Sequence, residues 1–369
     1  MPSVSLARRN LFQDRRRAGL AIVGVSAAFV LVLVLDGIFA GAMRQVTAYI
    51  RSSPADVFVA QRDVTTMHMT ASALAPGLVD DVSAVDGVAW AEGLRYTTGT
   101  VESDKNSLLT YVLGYDTTTG RGGPRSLAAG RAPTSGEAVL DVVAADELGV
   151  GVGDPVTLLG RSFAISGLST NGTYIANTTA FVTTTDFAAI RGPTYAYILV
   201  GTRDGTSPAA LRQRIASALP DTTVMTRADF ARQEANVVRS MAADVMAIMS
   251  TIGFLIALAL IGLTLFTATI AKQREFGILK AIGAGRAQLA TVVLTQAAWT
   301  VAIALGLAIV LAIGIGATLE ALTANLAVDI EPSSVARTAV GAAFVAGVAA
   351  LLPLHRVAKV DPATAFRMP

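Results

Sequence analysis

Residues 272–286 read KQREFGILKAIGAGR, a short charged segment set between two long apolar runs, Met241–Ala271 and Leu289–Leu319. Treated as a helix of 100° per residue, the segment places Ile278, Ile282 and Leu289 on one face and Lys272, Phe276, Lys280 and Gly283 on another. The first face suits the membrane or neighbouring helices. The second holds a phenylalanine outward between two lysines, which is what a helix seated in a protein groove presents: an aromatic anchor with a charged rim.

Composition explains why the flanking runs are so long. The chain has 369 residues, of which 53% are hydrophobic and only 15% charged, with a mean hydropathy of +0.56. That balance lies outside the range of soluble domains and marks an integral membrane protein. Four runs reach the length of a crossing helix: 18–42, 241–271, 289–319 and 338–354. Cationic flanks resist translocation, and arginines and lysines cluster before the first run, between the second and third, and after the fourth. Both termini (1–17 and 355–369) and segment 272–288 are therefore expected in the cytoplasm, with 43–240 and the short loop 320–337 outside. Ala40-Gly41-Ala42 also matches a signal-peptidase site, but the apolar run before it is longer than a signal core. The first run is read as a retained span.

The outer segment is large enough for its own core and is punctuated by turns, so it reads as an α+β domain inserted between the first two spans. Strands are predicted at 56–60, 108–113, 156–159, 163–165, 180–182 and 195–200, and helices at 74–85, 142–148 and 208–219. Recurrent glycines in the spans, Gly37 and Gly41 in a GxxxG among them, suit close helix packing or a dimer.

Cysteine is absent and the two histidines, His68 and His355, fall on opposite sides of the membrane in this reading. Thiol chemistry, a histidine metal triad and a nucleophile–histidine pair are thereby excluded, and no enzymatic site is expected. Nothing in the charge pattern points to nucleic acid. Substrate candidates are Asp36 and Asp244, carboxylates near the outer ends of the first two spans, and Met67-His68-Met69, whose thioethers and imidazole could ligate a soft metal or haem. The plainer reading of that tripeptide is a surface loop, in which changes at Met67 or His68 are silent.

The run Arg274-Glu275-Phe276-Gly277-Ile278-Leu279-Lys280-Ala281-Ile282-Gly283-Ala284 resembles the signature of FtsX/MacB-type ABC permeases. The stretch 136–167 resembles their extracytoplasmic domain, the tail HRVAKVDPATAFR (355–367) their closing motif, and the opening LARRNLFQDRRR (6–17) the start of DevC-type members. The tail carries phenylalanine where the family often has leucine. The resemblance implies that the loop between spans two and three is a coupling helix seated in a cytoplasmic ATPase, through Arg274, Glu275, Phe276, Gly277, Lys280, Gly283 and Arg286, with Asp361 and Pro362 in the tail. No G-x-x-x-x-G-K-[ST] loop occurs, so ATP is expected on a separate partner and no cofactor on this chain. Family precedent implies two permease copies with two ATPases in a bacterial cell membrane, and admits a membrane-fusion adaptor. The function expected from it is export or extraction of a hydrophobic or amphipathic substrate. A mechanical regulator of a cell-wall hydrolase and an antibiotic-sensing receptor are the alternatives.

Overall fold

Each apolar run lies within a longer helix: α1 (Arg15–Ser52), α6 (Arg227–Ala271), α8 (Arg286–Leu322) and α9 (Pro332–Lys359). All four are long and apolar enough to cross a membrane. The computed structural model describes residues 15–170, 178–281, 285–323 and 326–359. It divides into a helical unit and a second unit formed by residues 42–241 with 323–326. Helices α1 and α6 contribute to both, with boundaries at Gly41/Ala42 and Met241/Ala242.

The helices outrun their apolar segments because nothing in the flanking sequence stops them. No Pro or Gly follows Gly41 until Pro54, and α1 continues to Ser52. Helix α6 begins fourteen residues before Met241, after a capping threonine: Thr226 Oγ1 accepts from the Asp229 amide at 3.2 Å and donates to its carboxylate at 2.8 Å.

In the helical unit Phe29, Leu33, Ile261, Leu265, Val293, Ala304 and Ala346 form one buried cluster. Alanines 297, 304, 308 and 312 of α8 are all buried, small side chains that admit close approach by a neighbour. Ser26 Oγ donates to the Ala304 carbonyl at 2.9 Å and so fastens α1 to α8. The GxxxG of α1 is filled from within the chain. A Cβ on Gly41 would stand 1.9 Å from the Ala327 carbonyl oxygen, and one on Gly37 would meet Val328 at 2.9 Å. The Asp329 amide also donates to the Gly37 carbonyl at 2.8 Å. These glycines therefore seat the segment 327–330. Gly41→Leu is expected to cost about 1–3 kcal/mol through overpacking, and to raise maleimide labelling of a Val328→Cys reporter in this otherwise cysteine-free chain.

The second unit joins two sheet systems through one strand. Strands β1 (Val57–Gln61), β2 (Val88–Glu102), β9 (Tyr197–Thr202) and β10 (Thr222–Thr226) form an antiparallel sheet in the order β10-β1-β9-β2. Helix α2 (Leu78–Ser83) connects β1 to β2, and α5 (Pro208–Ala218) connects β9 to β10. This is the strand order of a ferredoxin-like β-α-β-β-α-β unit. Both helices pack on one face of the sheet, where Val82, Leu211 and Ile215 meet Val57, Val59, Ile198 and Val200.

Between β2 and β9 a barrel is inserted. Beyond Leu94, β2 leaves β9 and pairs with β3 (Ser107–Tyr115), and its end reaches β6 (Pro155–Leu158). The ladder runs β2-β3-β8-β5-β7-β6 and closes on β2, with β8 at Thr178–Thr183, β5 at Glu137–Asp141 and β7 at Arg161–Ser169. Strand β4 (Leu127–Gly130) adds to β7. Val101, Val112, Leu140, Leu158, Phe163 and Val182 fill the barrel, with Leu148 of α3 (Val142–Leu148) and Phe187 of α4 (Thr184–Arg191) in the same cluster. At the start of β5, Glu137 accepts both guanidinium nitrogens of Arg131, at 2.6 and 2.8 Å, and these bonds with those from Thr134 hold its carboxyl down at about 2.

The second face of the ferredoxin-like sheet is covered by the C-terminal end of α1 and the N-terminal end of α6. Ile50 of α1 and Phe230 and Ala231 of α6 are buried in one cluster with Phe58, Tyr197, Leu199 and Met225. Phe230 stands 5.1 Å from the Phe58 ring and 5.5 Å from that of Tyr197, centroid to centroid. The core of this unit is thus completed by two helices that continue as spans.

Candidate functional site

The charged segment folds as a short helix, α7 (Gln273–Ala281), separated from α6 by a turn at Lys272. The Phe276 amide restarts the helical ladder by donating to the Lys272 carbonyl at 3.0 Å. The outcome corrects the expected faces. Phe276 is only 6% exposed and belongs to the buried cluster of Leu265, Leu289, Val292 and Val293. Gly277 is buried beside it. The phenylalanine is the largest apolar side chain of the segment, and burial in the helical unit stabilises it more than exposure could.

The exposed face is formed by Ala271, Arg274, Glu275, Ile278 and Ala281, at the spacing of a single helix stripe. Ile278, expected against the membrane, is 38% exposed and supplies the apolar centre of this stripe. Arg274 and Glu275 flank it. Lys272 lies 4.0 Å from the Glu275 carboxylate with most of its side chain covered, and Lys280 is half-buried. Of the other coupling residues, Arg286 begins α8. Gly283, Asp361 and Pro362 lie outside the described residues.

The substrate candidates do not converge. Asp36 accepts a hydrogen bond from Arg337 of α9 at 3.1 Å, so its charge is paired within the helical unit. Asp244 lies exposed on α6. Met67 and His68 are not on a surface loop: Met67 is buried in the core beside Phe58, and the His68 side chain is 6% exposed. Met69 is 60% exposed, so the three side chains do not point to one place. Silence on substitution at Met67 or His68 is accordingly no longer the expectation. Among the described residues there is no group of three metal-ligating His, Cys, Asp or Glu side chains.

His68 has a partner that sequence reading missed. Its Nδ1 lies 2.7 Å from Oε1 of Glu234, whose Oε2 accepts from the Met67 amide at 2.5 Å. Glu234 is 1% exposed. It follows Phe230 by one helical turn, and that i, i+4 pairing with a core aromatic was the available signal.

The chain is similar to known proteins. The FtsX-like permease C-terminal family matches residues 247–362, and the MacB-like periplasmic core domain matches residues 18–218, more than half of the chain. ABC transporter permeases of Mycobacterium tuberculosis and Mycobacterium bovis are each 25% identical over 98% of this chain and 99% of theirs. The periplasmic region of MacB from Actinobacillus actinomycetemcomitans covers 50% of this chain and 94% of its own, at 14% identity and a TM-score of 0.38. The extracellular domain of YknZ, a noncanonic ABC-type transporter from Gram-positive bacteria, covers 47% of this chain and all of its own, with the same identity and score. The chain belongs to the FtsX/MacB-type ABC transporter permeases, multi-pass membrane proteins that work with a cytoplasmic ATPase.

Proposed function

We propose that this permease transmits ATP-driven motion from a separate ATPase to its extracytoplasmic domain, and so expels or extracts a hydrophobic or amphipathic substrate at the outer face of a bacterial cell membrane. The observation that carries this reading is α6. It is one uninterrupted helix of 45 residues, about 68 Å long at 1.5 Å per residue. One end adjoins the exposed stripe of α7, and the other is buried in the core of the second unit through Phe230 and Glu234. A hydrocarbon core of about 30 Å needs less than half of that length. The stripe Arg274, Glu275 and Ile278 is the surface that receives the ATPase, with both termini on the same cytoplasmic side. Two permeases and two ATPases form the working unit, and ATP is bound by the partner alone.

The test is ATPase activity of the assembled complex in nanodiscs. Stimulation by a small amphiphile supports export. Stimulation by a cell-wall hydrolase alone would instead assign a regulatory role, and a complex indifferent to both, but altering kinase signalling on antibiotic exposure, a sensory one.

A further inference from the structure

Helix α6 enters the second unit beside the ferredoxin-like sheet, and Phe230 and Ala231 lie in one apolar cluster with residues of that sheet and with Leu113, Tyr115, Val139 and Phe181 of the barrel strands. A directional contact to the barrel stands beside this apolar one. His68, held by Glu234, lays its ring 4.5 Å from that of Tyr111 on β3 and edge-on at 6.1 Å to that of Tyr96 on the barrel part of β2. The segment carrying His68 is itself anchored on both sides. The Gln61 amide donates to Ser72 Oγ at 3.0 Å, Leu74 and Tyr195 exchange backbone bonds at 2.7 and 3.0 Å, and Tyr197 Oη donates to the Thr66 carbonyl at 3.1 Å. Burial first, and the Glu234 carboxylate second, raise the Tyr197 phenol well above its ordinary value, so this hydroxyl stays a donor.

We infer that Glu234 and His68 form a pin that ties α6 to the barrel, so that a displacement of the helix is delivered to the barrel as well as to the sheet. Apolar contacts are non-directional and let packed surfaces slide. A carboxylate sealed from water is different, because losing its donors leaves a stranded charge. Helix α6 therefore cannot turn or slide at Glu234 without carrying Met67 and His68 with it, and His68 carries the tyrosine pair. Glu234 is a positioning residue in this scheme, acting through His68. The inference rests on the proposed transmission for its purpose, while the pin itself can be tested without any ATPase.

The experiment uses the full chain in lipid nanodiscs, where the absence of cysteine makes Leu109→Cys on β3 and Met241→Cys on α6 unique spin-label sites. The parent is expected to give one narrow distance distribution. Glu234→Ala and His68→Ala should each broaden it and speed hydrogen exchange of the 66–69 amides about ten-fold. His68→Asn, whose amide can donate from near the Nδ1 position, should restore both. Phe230→Leu, which weakens only the apolar seat, should lower Tm and leave the distribution narrow. An unchanged distribution in folded Glu234→Ala and His68→Ala overturns the pin, and if Glu234→Ala does not fold, His68→Ala decides alone. With the ATPase and ATP present, equal movement of a barrel label in the parent and in His68→Ala also overturns it. A narrow distribution that Glu234→Ala broadens supports the pin even where ATP moves nothing, and that result would count against transmission instead.

Discussion

Replacing Ile278 by aspartate is expected to abolish co-purification of the ATPase with the permease while the permease keeps its thermal stability. Phe276→Ala should do the reverse. The two side chains are two positions apart on α7 and face opposite ways, Ile278 exposed and Phe276 buried in the helical unit. An apolar residue ringed by charge at the centre of an interface commonly accounts for about 2 kcal/mol or more, which is roughly thirty-fold in affinity. A buried aspartate facing an apolar groove adds desolvation to that loss. Truncating a buried phenylalanine costs about 3–5 kcal/mol of stability, so the Phe276→Ala protein should melt earlier. Pull-down and thermal unfolding on the same preparations separate the two effects. Retention of the ATPase by Ile278→Asp and by Glu275→Lys would remove the exposed stripe of α7 from the coupling scheme.

Phe230→Ala is expected to be the most damaging single change in the second unit. Phe230 is fully buried between Phe58 and Tyr197, on the turn of α6 that closes the open face of the ferredoxin-like sheet. Its loss should cost about 3–5 kcal/mol, and the damage should concentrate where α6 leaves the sheet. Hydrogen exchange is expected to rise in β1, β9 and β10 and to change least in β6 and β7 of the barrel, whose buried residues Val156, Leu158, Phe163 and Ile165 belong to a cluster with no residue of α6. Uniform acceleration across the barrel would show that the unit melts as one body and that α6 closes more than the sheet.

Much of the architecture was legible because membranes impose a coarse rule. Runs of apolar residues long enough to span had to be helices, and their number and order defined the layout. Strands β1, β3, β6, β7, β8 and β9 were legible from short β-branched and aromatic runs. Strand β2 was not. Its fifteen residues include Gly93 and Gly99 and change partner near Leu94, so no single alternation runs through them. The start of α6 was missed for a related reason: Arg227–Ser240 is polar, and a polar helix outside a membrane carries no hydropathy signal, although the capping Thr226 marks where it begins.

Periodicity placed the charged segment on a helix, but it could not supply the phase. That depended on which side chain the helical unit would bury, and Phe276 was drawn inward because the cluster around Leu289 accepts its ring. The GxxxG of α1 is a similar case. Small residues four apart say that something approaches closely, and only the fold shows that it is the chain's own segment 327–330. By itself the sequence determined that this is a four-span permease with an inserted domain and no phosphate-binding loop, because length, hydropathy and local motifs are properties of contiguous residues. Tertiary structure alone decided which residues of α7 are exposed and that Glu234 pairs with His68, because burial and pairing between residues 166 positions apart depend on how distant segments pack.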